Sequence, residues 1–444
     1  MPCCAPTLPL SRIFVFVLAV LVSLVPCISF AADTAAKRWY KGNTHTHTLW
    51  SDGNDFPEMI ADWYKSQGYH FLALSDHNVL QVTETWMSEA AIQKRKKSLG
   101  KTTLEKYRAR FGDEWVTTRE MEGQKEVRLK KLEEYRLLLE EPEKFLLVPA
   151  EEVSAGFEVT LKNKAPIHIN GINLSEVIKP IEGTGFVDVM RKNLAAIRAQ
   201  EQRFGQPTLG HVNHPNFRWA LTPENLAEAV EENYFEIWNG HPGINYQGDA
   251  TRMGHEKMWD IANTLRIAKL KAPPLFGMGT DDAHHYHGES SSPGRGWIMV
   301  RSDKLEAGAL IRALRAGDFY ASSGVMLEDV RFNNGKLTIR IQAKPGVTYT
   351  TQIKGTRVEY DATTIAVRTA PDDPQAVRNR YSDDVGMVFA NIPGTEFSYT
   401  LTGKELYVRA VITSSEAPVN PVWATQKQMA WTQPVGWELR VSAK

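Results

Sequence analysis

Cysteine is scarce in this chain and confined to one end: Cys3, Cys4 and Cys27 are the only three among 444 residues. Beyond residue 27, disulfides and thiolate chemistry are excluded, and a metal has to be held by His, Asp and Glu. Neither sign of charge is in excess, since 52 Lys and Arg stand against 52 Asp and Glu. That balance gives no field of the kind that gathers nucleic acid, and no nucleic-acid partner is expected. Long apolar runs are missing too, apart from one at 13–30, which follows Arg12 and is broken by Ser23, Pro26, Cys27 and Ser29. It falls short of the ~20 residues of a comfortable membrane span. With small residues Ser29 and Ala31 placed for cleavage, it reads as a secretory signal peptide over 1–31. The expected location is therefore periplasmic or secreted, without stable membrane insertion after cleavage. There is no internal repeat and no long low-complexity tract.

What remains alternates short apolar strands with helices. A strand around 43–47 comes first, then a helix opened by Pro57 and closed by Gly68, then the strand 71–74 ending in Ser75-Asp76-His77. Residues 86–143 are rich in Lys, Arg, Glu and Leu. Leu129, Leu132, Tyr135 and Leu139 fall at helical spacing, and Glu126 and Lys130 form an i,i+4 pair, so this stretch reads as a helical insertion that could cap a site. Alternation then resumes. Strands are expected at 145–149, 168–174, 208–212, 235–238, 275–279 and 297–300, and helices at 186–204, after Thr222-Pro223, at 256–270 and at 304–316. Repeated βα units imply a barrel or a doubly wound sheet. His, Asp and Glu recur just after the strands, which favours the barrel, where strand ends gather on one face. From about residue 327 the pattern changes to period two, as in Leu337, Ile339, Ile341 and Leu406, Val408, Ala410, Ile412. The expected division is a metal-binding domain at 32–325 and a small all-β, sandwich-like domain at 326–444.

Histidine carries the chemistry. Of twelve, most follow predicted strands: His45, His47, His77, His168, His211, His214, His241, His284, His285 and His287. His45 and His47 are two apart, so on an extended chain they share a face. Together with Asp52, Asp76, Glu152, Glu236 and Asp282 they point to a site for several metal ions. His and carboxylate ligands suit Zn²⁺, Fe²⁺ or Mn²⁺.

The order HTHT at 45–48, SDG at 51–53, SDHN at 75–78, AEEVS at 150–154, HINGINL at 168–174, HVNHPN at 211–216, EIWNG at 236–240 and DDAH at 281–284 resembles the PHP (polymerase and histidinol phosphatase) metallohydrolases. The likeness covers roughly 41–325 and leaves out the insertion and the C-terminal β region. It is similar to an exported, two-domain branch that includes carbamate and ester hydrolases. The resemblance implies an α/β fold, a distorted (βα)7 barrel, with two or three divalent ions (Mn, Fe or Zn). It implies that His45, His47 and Asp282 hold a first ion, with Glu152 bridging to a second held by His168 and His214. Asp52, His77 and His284 would hold a third. Asp52 stands where the family often has His, and an oxygen ligand there shifts preference toward manganese or iron. Glu152 is preferred over Glu151 because it directly precedes Val153, and Asp282 over Asp281 because it gives the D-x-H spacing.

Four further residues are candidates for catalysis: Asp76 to orient His77, Glu236 to orient a ligand, Arg295 to bind phosphate, and His241 to protonate a leaving group. His285 and His287 are weaker candidates for the last role, and Arg218 and Trp219 for lining the pocket. The leading expectation is a phosphoesterase that uses a metal-bridging hydroxide on a small phosphorylated substrate. A carbamate or carboxylic ester hydrolase on the same site is the alternative. It predicts an apolar pocket, for which Trp50, Trp219 and Trp238 are available. A non-catalytic carbohydrate- or surface-binding protein is the third reading.

Overall fold

The first strand is Arg38–Asn43, earlier than the 43–47 expected, and beyond it Thr46 makes only an isolated bridge. The structure is a computed structural model that describes residues 1–2, 36–95, 102–160, 163–288 and 290–441. The expected leader lies outside the described residues beyond position 2, as do all three cysteines. Residues from 36 onward form one compact unit.

A single row of thirteen strands organises that unit. In spatial order its first seven are Phe276–Thr280, Tyr234–Asn239, Leu209–Val212, Asn163–Ile172, Leu146–Thr160, Phe71–Leu74 and Arg38–Asn43. Four of their pairings are parallel and two antiparallel. The two outer members of this set meet beyond their strand ends. Thr46 bridges Ala283 in parallel fashion, with His47 N–H donating to Ala283 O at 2.9 Å and Asp282 N–H to His45 O at 2.9 Å. The fold is thus mixed α/β. Strict βα alternation breaks at Leu146–Thr160 and Asn163–Ile172, a long hairpin with no helix between its arms. Glu152 and His168 accordingly sit within paired strands rather than just after them. Phe71–Leu74 is buried along its whole length, as its unbroken apolar sequence requires when both faces are covered.

Local signals fix the helices. Pro57 occupies the first position of Pro57–Ser66, and Gly68 follows it at φ 73°. Phe186–Phe204 buries Val189, Met190, Asn193, Leu194, Ile197 and Gln200 at three- and four-residue spacing, and ends at Gly205 in the left-handed region. The Thr222 hydroxyl accepts from Asn225 N–H at 3.2 Å, capping Pro223–Glu228.

The insertion is not all-helical. It holds an antiparallel sheet of Thr85–Ser88, Gln124–Leu129 and Thr118–Met121, with the helices Glu89–Lys94, Thr103–Phe111 and Leu132–Leu139 beside it. Glu122 and Gly123, at φ 51° and 76°, make the two-residue turn that pairs the last two strands. Glu126 therefore meets Arg119 across the ladder at 2.7 Å, not Lys130 along a helix. Phe319–Ser322, absent from the sequence reading, is a further strand of the row.

Beyond Arg38–Asn43 the row continues, all antiparallel, through Trp297–Ser302, Phe319–Ser322, Met429–Thr432, Glu405–Ser414, Tyr349–Arg357 and Met387–Pro393. From Leu327 on, every described element except Glu438–Val441 is a strand. A buried ion cluster ties these strands to the helix His255–Thr264. Asp260 takes two bonds from Arg409, at 2.8 and 2.7 Å, and one from the Tyr407 hydroxyl at 2.9 Å.

Candidate metal centre

The site is built where the strand ends converge. His45 and His47 follow the first strand and flank the bridge at Thr46, and their Nε2 atoms lie 3.2 Å apart. His45 Nδ1 faces Glu236 Oε1 at 2.6 Å, which turns Nε2 toward Glu152 and Asp282, each 3.4 Å away. His47 Nε2 lies 3.2 Å from Asp282 Oδ1 and 3.5 Å from Glu152 Oε2.

Glu152 faces two ways. Its Oε1 lies 3.1 Å from His168 Nδ1 and 3.2 Å from His214 Nε2, and accepts from the Asn213 amide at 2.8 Å. Its Oε2 is buried, accepts no hydrogen bond, and lies 2.7 Å from His77 Nδ1. Nearer the surface, Asp52 lies 3.6 Å from His77 Nε2, 3.4 Å from His284 Nε2 and 3.8 Å from His47 Nδ1. Asp282 and His214 hold φ of 49° and 20°, conformations that a non-glycine residue keeps only where the surroundings enforce them.

All nine ligand candidates fall into groups whose donor atoms lie within 4.8 Å of one another: His47, Asp52, His77 and His284; His45, His47 and Glu152; His45, His214 and Asp282; His77, Glu152 and His168. Two ligands each about 2.1 Å from one ion stand roughly 3.0 Å apart at a right angle and about 3.4 Å apart at the tetrahedral angle. Most of the separations above match these values. Glu151 turns away to accept from Ile178 N–H at 2.6 Å. Asp281 is enclosed by Asn43, Tyr64 and the N–H groups of Gly294, Arg295 and Gly296.

The electrostatics of the cluster suit a cation. Burial alone would raise Glu152, but His45, His168 and His77 hold it well below the usual carboxylate range. Asp282 is held down against burial in the same way, chiefly by His45, His47 and His284. In return, the carboxylates overcome burial at His45 and hold it well above its ordinary value. His77 is likewise pushed up, against burial, to about 11 by Glu152 and Asp52. Burial and the neighbouring His284 and His77 push His47 down to about 4, so it presents a neutral imidazole. The carboxylates are thus balanced by protons on imidazoles, and divalent ions would take the place of those protons. The donor set therefore fits divalent ions.

The other candidates divide. Glu236 reaches the site through His45. It also accepts from Thr280 Oγ1 at 2.7 Å, His214 N–H at 2.7 Å and Asn239 at 2.8 Å. Asp76 does not touch His77. It accepts from Thr48 N–H at 2.7 Å, Ser51 Oγ at 2.5 Å and Gln81 at 2.7 Å, bracing the turn that carries Asp52. Arg295 is buried and bonds to Gly240 O, Ser290 O and both oxygens of Asn420, so it is a loop clamp rather than a phosphate ligand. His241 lines the cleft, with its ring 5.3 Å from that of His284. His287 is held by Lys106, Asp55 and Asn54, away from the ions.

Two contributors escaped the sequence reading. Ser154 Oγ meets His77 Nδ1 at 2.5 Å, and the Tyr286 hydroxyl donates to His47 O at 2.8 Å. Ser154 was legible in principle, because it stands two residues beyond Glu152 on one strand and so shares its face.

The ions would lie at the floor of a cleft of about 350 Å³. Its remaining wall includes Phe217, His241, Ile244 and His285, with no Lys or Arg among the described lining residues. Trp50, Trp219 and Trp238 do not line it.

No family model and no curated protein matches the chain. Comparison with solved structures finds a two-domain protein from Bacteroides vulgatus that contains a predicted PHP-like metal-dependent phosphoesterase. It is 15% identical, with a TM-score of 0.38, over 91% of this chain and 96% of that one. A candidate metal-dependent phosphoesterase from Bifidobacterium adolescentis is 12% identical, with a TM-score of 0.27, over 62% of this chain and 94% of that one.

Proposed function

We propose that this chain is a metal-dependent hydrolase of the PHP type, and specifically a phosphoesterase acting on a small phosphorylated substrate. In this reading the seven strands that meet through Thr46 and Ala283 are a distorted barrel, and the nine grouped residues are the metal ligands. Residues 1–31 are a leader removed on export. One observation carries the reading: Glu152 turns one oxygen to His168 and His214 and the other to His77 and His47, as a carboxylate shared by two ions must. When bound, such ions lower the pKa of a coordinated water from ~15.7 to about 7 and neutralise the oxygens of the reacting group.

The chain's own residues set the stage for that chemistry. Glu236 fixes the His45 ring so that Nε2 faces the ions. Asp76 holds the turn from Thr48 to Ser51 and so aims Asp52. His241, at the cleft wall, is placed to exchange a proton with the reacting group, and burial lowers its pKa, which favours the neutral ring.

A second reading, hydrolysis of a carbamate or carboxylic ester, draws support from the same cleft. It offers Phe217 and Ile244 but no described Lys or Arg to meet a phosphate. Elemental analysis of the purified protein, with assays on p-nitrophenyl phosphate and on p-nitrophenyl esters and carbamates, separates the two. The expected result is two or three Mn, Fe or Zn per chain with phosphatase turnover, both lost in Glu152→Ala and His214→Ala. Turnover confined to the carbonyl substrates would move the assignment to the second reading. Full activity in either variant would overturn the metal centre.

A further inference from the structure

A second cleft of about 560 Å³ opens beside the first, and His285 lines both. Its wall is aromatic, with Trp63, Tyr69, Tyr286 and Trp297. The Lys41 ammonium lies 3.8 Å from the centre of the Tyr69 ring and 4.2 Å from that of Trp297. Rings can hold an ammonium in this way, but they do not neutralise it. Among the described residues no carboxylate pairs with it and no acceptor takes its protons. The one carboxylate whose field reaches it, Asp281, is already enclosed by five donors.

Two more donors in the same wall lack acceptors. The Tyr69 hydroxyl and the Trp297 indole N–H are both buried and have no hydrogen-bond partner, their residues being 2% and 9% exposed. An unmatched buried donor is rare, because each costs about 1–3 kcal/mol. Lys41 thus offers the cleft an ammonium with no acceptor, seated on the faces of two rings whose own polar atoms are enclosed and unmatched. The wall therefore carries one unpaired positive charge, at Lys41, within an aromatic surface, which suits a ligand that joins an anionic group to an apolar ring. Trp63, half-buried, adds an aromatic surface on which a ring can stack.

We propose that this cleft binds a ring-bearing carboxylate, an aromatic acid or a sugar acid, with the carboxylate at Lys41 and the ring against Trp63. The assignment does not rest on the metal centre, since none of the ligand candidates lines this cleft. The test is calorimetric titration of the purified metal-loaded protein with benzoate, with glucuronate and with acetate. Saturable binding of benzoate or glucuronate is expected, and whichever binds tighter identifies the kind of ring. Affinity should fall about ten-fold or more in Lys41→Met and in Trp63→Ala, recover in part in Lys41→Arg, and stay unchanged in His214→Ala. No saturable binding of either ring acid would overturn the proposal, and so would acetate binding as tightly as both. Loss of binding in His214→Ala would move the ligand to the metal cleft. Should Lys41→Met fail to fold, as judged by its thermal midpoint, unchanged affinity in Trp63→Ala is sufficient to refute the assignment.

Discussion

Glu236 and His45 stand 191 residues apart in the chain and 2.6 Å apart in space. By accepting the Nδ1 proton, Glu236 decides which nitrogen of His45 keeps a lone pair for an ion. Glu236→Gln should therefore lower metal affinity by about 10–100-fold while the fold persists. Competition with a chelator, alongside circular dichroism, checks this, and unchanged affinity would reduce Glu236 to a packing residue. At this scale the sequence was informative where donors cluster locally. H-x-H, the Asp after it and D-x-H each keep their donors within a few residues of one another, so local chain geometry brings them together. It was uninformative about partners fixed by the fold. Nothing near Asp76 reveals that it serves Thr48 and Ser51 rather than His77. Nothing near Arg295 reveals that Gly240 and Asn420 will surround it with carbonyl oxygens.

Among the elements, the insertion was the hardest to read. Its charged composition suits a helix, and a single Glu-Gly turn is a quiet signal for a hairpin. Besides the apolar cluster of Leu49 and Phe56 with Ile92, Tyr107 and Val127, it is docked by Glu58, buried on the helix Pro57–Ser66, which accepts from the Tyr107 hydroxyl and, at 2.8 Å, from the Trp115 indole. Burial pushes this carboxyl from about 4.5 up to about 7, against the opposing pull of both donors. Between those values the folded state keeps a proton that the unfolded chain has lost, so stability falls as pH rises through the window. Glu58→Gln should remove that loss, gaining roughly 1–3 kcal/mol on wild type at pH 8 relative to pH 5. Thermal unfolding of both proteins at the two pH values measures it, and an equal pH response would mean that Glu58 is ionised in the fold. The helices at 57–66 and 186–204 were legible because proline, glycine and apolar spacing all agree there. The strand Phe319–Ser322 was not, since, unlike the wholly apolar Phe71–Leu74, it ends in Ser322 and runs directly into Ser323 and Gly324, which read as a loop.

For the whole molecule, the period-two texture after residue 327 announced strands but not where they would attach. Met429–Thr432 pairs with Phe319–Ser322 on one side and with Glu405–Ser414 on the other, so one sheet runs from the strands that carry the ligand candidates into the C-terminal strands. Asp260 and Arg409 reinforce that continuity from a neighbouring helix. The protein should unfold in a single calorimetric transition, with the first seven strands of the row and the C-terminal strands melting together. Two well-separated transitions would show that the shared sheet does not couple them.

The same connection has a consequence for synthesis. The hydrogen-bonding edge of Phe319–Ser322 is covered by a strand that begins 107 positions after Ser322. At ~5–20 residues per second, a ribosome leaves that edge bare for on the order of ten seconds. A nascent chain of this protein must be held apart from its copies during that interval, because an open strand edge beside a finished half-sheet is the surface on which two such chains would join.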